Sequence, residues 1–163
     1  LRIVVTAPSL QLLIFMFTLI RFVYGAIRIH EIFPDATANM RPWRVAWNVM
    51  GMLMLFIFFY IAGLSVQHAK SFYSSVIGVH LWDLVWFGVL VAGAGDLRKD
   101  LKGVMSTFLI VDAATVILLL VAIWLDHFLS IIGASVMVAV GTADLLWNRR
   151  FFFHPNSWTS SRS

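Results

Sequence analysis

Apolar residues fill five stretches of the chain, each about the length of a membrane-crossing helix, and most polar residues fall between them. A helix needs about 20 mostly apolar residues to cross the hydrocarbon core of a bilayer. The first stretch runs from about 8 to 29. Pro8 sits where a first helical turn tolerates a missing N–H, and Pro34 enforces the stop. The second runs over 43–65, just after Pro42. It contains MGMLMLFIFFYIAG, has no charge after Arg44, and carries Trp43, Trp47 and Tyr60 where aromatic side chains suit a membrane interface. The third covers 74–94, the fourth 103–125 and the fifth 129–147. The connectors read PDATANMRP, VQHAKSF and DLRKDLK, and Asp126-His127 makes a tight turn.

This pattern predicts a single all-α domain, an integral membrane bundle of five helices, because a helix satisfies its own backbone groups in lipid. The fourth and fifth helices are expected to form a close antiparallel hairpin, with the first two joined more loosely. Small residues end the third stretch (GVLVAGAG) and recur in the fifth at Gly133, Ala134, Ser135 and Gly141, where they let helix backbones approach closely. Residues 149–163 read as a cytoplasmic tail, aromatic and then polar, with its first part at the membrane surface.

Composition agrees. Of 163 residues, 61% are hydrophobic and 12% charged, against roughly 45–50% and 25% in a soluble domain. The net charge of +4 is spread over the connectors, whereas a nucleic-acid surface needs its Lys and Arg clustered on one face. Those cations set a topology. Arg28, Arg41 and Arg44 flank the first connector; Arg98, Lys99 and Lys102 fill the third; Arg149, Arg150 and Arg162 follow the last span; the other two connectors hold only Lys70. With five spans all the positive segments share one side, which the positive-inside rule makes cytoplasmic. The N-terminus is then outside and the C-terminus inside, in a bacterial inner (plasma) membrane. Arg21, Arg28 and Glu31 stand where a signal-peptide cleavage site would, so the first stretch reads as a retained span.

A few charges lie within the spans. Arg21 sits about 10 Å from the cytoplasmic end of the first, Asp144 about 6 Å from that end of the fifth, and Asp112 about 13 Å from that end of the fourth, at 1.5 Å per residue. A charge in hydrocarbon costs from ~3 to well over 10 kcal/mol and turns toward a partner. Arg21 is therefore expected to pair with Asp112 or Asp144, leaving one aspartate over. Such a pair can simply fix helix register, or belong to an ion or proton path or a switch. Arg21, Tyr24, Arg28 and Glu31 fall three and four apart, on one helix face.

Toward the outer side the pattern gathers His68, His80, Asp83, Asp126 and His127. Side chains meeting water at an interface are the first reading of this group. A pH-sensing or relay role comes next, and metal or haem ligation last. No metal ligand set and no cofactor is assigned. The absence of cysteine excludes thiol–disulfide chemistry and Cys-ligated zinc or iron–sulfur clusters. Met50, Met52 and Met54 read as packing. Arg28, His30, Glu31, Arg98 and Lys99 form a cytoplasmic surface on which a soluble partner could dock.

No G-x-S-x-G, H-E-x-x-H or P-loop pattern is present. Three functions stay open. First is a non-enzymatic protein that assembles as a homo-oligomer and forms or gates an ion or proton path, since rings of acidic residues conduct cations. Second is a membrane anchor or sensor subunit, such as the membrane effector of a stress or defence system, in a complex with a soluble cytoplasmic protein. Third is a metal- or haem-binding membrane enzyme subunit.

Overall fold

The computed structural model describes residues 7–32, 41–92, 99–125 and 128–153. They form α1 (Ala7–Ile32), α2 (Pro42–Leu64), α3 (Ala69–Ala92), α4 (Lys99–Leu125), α5 (Leu129–Trp147) and the short α6 (Arg149–Phe153), with no strand among the described residues. Five segments are long and apolar enough to cross a membrane: Ser9–Ile29, Pro42–Leu64, Ala69–Ala92, Lys102–Leu125 and Leu129–Trp147. Their outward faces are apolar. Leu13, Phe56, Leu64, Ile117, Trp124, Ile131 and Leu146 are all exposed, while buried aspartates and an arginine-bound carboxylate lie inside. A water-soluble bundle shows the opposite distribution, so these helices suit a membrane-embedded protein.

Local chemistry sets the helix ends. Pro42 opens α2 in the first turn. Ser65 closes it, with its backbone N–H and its hydroxyl both directed at the Ile61 carbonyl. His68 N–H then bonds Ser65 O at 2.9 Å, and α3 starts at the next residue. The third span therefore begins at Ala69 and not at 74 as its hydropathy indicates. Lys70 and His68 make this turn look like a connector, but Phe72 and Tyr73 are fully buried and bring it into the helix.

Helices α2 and α4 pack on either side of α3, α5 packs on α4, and α1 closes the bundle against α5 while touching α2 only lightly. The central place of α3 shows in its burial, the highest of the five spans. The α4–α5 neighbours form the expected hairpin. Close approaches use glycine within this one chain. A Cβ on Gly133 would lie 2.5 Å from the Tyr73 ring, and one on Gly141 2.5 Å from Phe17. Gly133 and Gly141 of α5 are thus filled by aromatic side chains of α3 and α1, whereas Ser135 on the same helix is exposed. On α2, the Trp86 ring occupies the space that a Gly51 side chain would need, and Trp82 Nε1 donates to the Gly51 carbonyl at 3.0 Å.

The aromatic segment after α5 turns two of its first residues into the bundle. In α6, Phe151 and Phe152 are buried and pack edge-on and tilted against Phe108 of α4, while Tyr24 of α1 stacks on Phe152. Helix α6 caps the end of the bundle where α1, α3 and α5 finish, hereafter the α6 end. Burying two phenylalanine rings removes enough apolar area to outweigh exposing them at a surface, at ~1.5–3 kcal/mol per side chain.

Candidate functional site

Three helices bring acidic side chains to the bundle interior. Asp83 on α3, Asp112 on α4 and Asp144 on α5 are each no more than 2% exposed. Each sits on its helix among apolar residues at helical spacing, so the fold that buries those residues buries the carboxylates with them.

Two of the three are paired. Arg21 Nη1 on α1 donates to Asp144 Oδ2 in an ion pair. Asn148 Nδ2, one turn further along, donates to the other oxygen, Oδ1, at 2.8 Å. Both carboxylate oxygens are therefore satisfied, and of the two partners open to Arg21 it is Asp144 that it meets. The remaining candidate, Asp112, belongs to a different pair: its Oδ1 lies 2.7 Å from His80 Nδ1 of α3, with both side chains buried. A histidine–carboxylate bond orients the imidazole and fixes which nitrogen faces it.

Asp83 stands apart. Its Oδ1 is buried with no hydrogen-bond partner among the described residues, and so is His80 Nε2, the ring nitrogen turned away from Asp112. Asp83 lies one helical turn from His80 on the same face of α3 and within electrostatic reach of both Asp112 and Arg21. The two pairs are neighbours: the His80 ring packs 5.8 Å from Phe22, whose ring also lies under the Arg21 guanidinium. This cluster sets three carboxylates against the Arg21 guanidinium and the His80 imidazole; Arg44 of α2 is buried as well. With both bases charged, the cluster is neutral only when one carboxylate carries a proton.

Of the outer polar group, His80 and Asp83 lie in the bundle interior, apart from His68. A helix that starts at Ala69 puts His80 at its middle, and His80 and Asp83 join the buried charges. His68 is exposed in the turn before α3, about 18 Å from His80 along the helix axis. Asp126 and His127 lie outside the described residues. Among the described residues, no group of three or more His, Asp or Glu is arranged to hold a metal ion.

Of the expected docking residues, Arg28 and Glu31 bond each other. Arg28 Nη1 bonds Glu31 Oε2 at 2.6 Å, its Nη2 bonds Tyr24 Oη at 2.8 Å, and its Nε reaches the Phe152 carbonyl at 3.2 Å. Tyr24 donates to the same carbonyl at 3.0 Å. These residues hold α6 over the end of the charged cluster. His30 lies in α1 and Lys99 opens α4, but their side chains, like Arg98, lie outside the described residues.

Several contributors escape sequence reading. Asn148 looks like an interfacial residue beside Arg149 and Arg150, yet it holds Asp144. Phe151 and Phe152 read as a surface patch. The i, i+4 spacing of Asp144 and Asn148 is the one signal that could have found the first of these. Comparison of the chain with family models, with curated proteins and with solved structures returns no match.

Proposed function

We propose that the chain is an integral protein of an inner (plasma) membrane, N-terminus outside and C-terminus cytoplasmic, that passes protons through its own helix bundle. Asp83 is the exchanging site, His80 with Asp112 relays the proton, and the neutral Arg21–Asp144 ion pair fixes the helices beside them. The observation that carries this reading is a pair of unpartnered, fully buried atoms, Asp83 Oδ1 and His80 Nε2, on one face at the middle of a span-length helix. An ionisable group in that position has to find a partner or mark a path. The other two carboxylates have found partners, and Asp83 Oδ1 has none among the described residues. This keeps the ion or proton path of the sequence analysis but moves it from the axis of an oligomer into the protomer. All three aspartates face inward, and the glycines of α5 are already filled from within the chain.

The test is flux. Purified protein is reconstituted into vesicles that enclose a pH-sensitive dye, and a potassium diffusion potential drives proton entry. The wild type acidifies the lumen, and Asp83→Asn lowers the rate by about a hundredfold, the scale of losing a positioned proton carrier. Equal rates in the two proteins overturn the proposal, and so does a wild type no faster than empty vesicles.

A further inference from the structure

A second polar station lies on the far side of the bundle from α6. Gln11 of α1 is 1% exposed, and its Nε2 donates to Ser130 Oγ of α5 at 3.3 Å. Tyr73 of α3 donates its hydroxyl to the Ser130 carbonyl at 3.0 Å, its ring lying over Gly133. Three helices therefore converge on Ser130. Gln11 Oε1 is buried with no hydrogen-bond partner among the described residues. Whichever way round the amide is placed, one of its ends lacks a partner, and a buried amide end left unbonded costs ~1–3 kcal/mol.

The placement is regular. Gln11, Ile14, Thr18 and Arg21 fall on one face of α1, and all but Arg21 are fully buried. Gln11 is ten residues from Arg21, and Tyr73 is ten residues from Asp83, so both stand about 15 Å along the helices from the charged cluster. Between the two levels lies an apolar layer of Ile14, Val76, Val116, Ala134 and Met137. Polar side chains above and below an apolar layer are the arrangement of a path interrupted by a dry constriction.

We infer that Gln11, Ser130 and Tyr73 bind a water molecule and form the entry station of the path, opposite the α6 end. The unbonded amide oxygen accepts from the water. The Ser130 hydroxyl, whose oxygen accepts from Gln11, still has its own O–H to donate to that water. A buried water needs two to four such partners. This inference rests on the proton path proposed above for its role, and on the geometry alone for the site.

The natural absence of cysteine makes the site directly testable. Ser130→Cys and Ala134→Cys are made separately; Ala134 is buried one turn deeper in the apolar layer. Each protein in vesicles is exposed to silver ion, and remaining thiols are then alkylated in denaturant. The inference requires that silver protects Cys at 130 and leaves Cys at 134 reactive. Protection of neither, or of both alike, overturns it. A second measurement addresses the role: Gln11→Leu slows proton entry about tenfold, while Gln11→Glu, which keeps a buried acceptor, slows it less. Equal flux in Gln11→Leu and wild type overturns the role. A wild type without flux defeats the proton path but leaves the silver result to decide the water site.

Discussion

Removing Arg21 tests the pairing that closes the bundle. In Arg21→Ala, Asp144 stays at 0% exposure and keeps one hydrogen bond, from Asn148. The Arg21 side chain is itself only 11% exposed, so water cannot readily take its place. Breaking a buried ion pair on one side costs ~3–5 kcal/mol, because the remaining charge is stranded. Replacing both members with apolar residues, Arg21→Met with Asp144→Leu, removes the stranded charge together with its partner and is expected to recover most of that loss. The signature is therefore a double-mutant cycle, of Arg21→Met, Asp144→Leu and the two together, with a coupling of ~1.5 kcal/mol or more. Unfolding is followed in mixed micelles by tryptophan fluorescence as denaturing detergent is titrated in. Arg21→Ala should unfold at much lower denaturant than the wild type, and the double variant should lie between them or near the wild type. A single variant within ~0.5 kcal/mol of wild type, or strictly additive losses, would refute the reasoning.

Other outcomes follow from the packing. Asn148→Ala removes a charge-assisted bond to Asp144 and should cost ~1.5–3 kcal/mol in the same titration. Gly51→Val drives a side chain into the Trp86 ring and should cost ~1–3 kcal/mol, whereas Gly88→Ala meets nothing within 4 Å and should stabilise α3 by up to about 1 kcal/mol. Tyr24→Phe and Arg28→Ala each remove a donor to the Phe152 carbonyl, so trypsin should cut at Arg149 or Arg150 faster than in wild type; unchanged cleavage would show that these contacts do not hold α6.

The five spans were legible because apolar length is a property of each segment alone. Arg21 was legible as a residue needing a carboxylate for the same reason. Its choice between Asp112 and Asp144 was not, since the sequence places both at similar distances from the same helix end and only the packing of α1 against α5 decides it. The depth of His80 turns on one boundary: a helix read from 74 puts the residue about 9 Å inside the span, and a start at Ala69 puts it about 7 Å deeper, among the buried charges. Gln11 and Ser130 carry no pattern of their own: single polar residues near span ends look alike whether they face water or one another. The glycines of α5 were legible as close-approach sites, but which neighbour approaches depends on tertiary structure, and Tyr73 and Phe17 take those places.

The most direct measurement is of the Asp83 carboxyl itself, by infrared difference spectroscopy of the reconstituted protein as pH is stepped. The expected result is a protonated-carboxyl stretching band that grows and fades with pH in the wild type, survives in Asp144→Asn, and is missing in Asp83→Asn. A band unchanged in Asp83→Asn, or no pH-dependent carboxyl band in the wild type, would contradict the assignment of Asp83 as the residue that takes up and releases the proton.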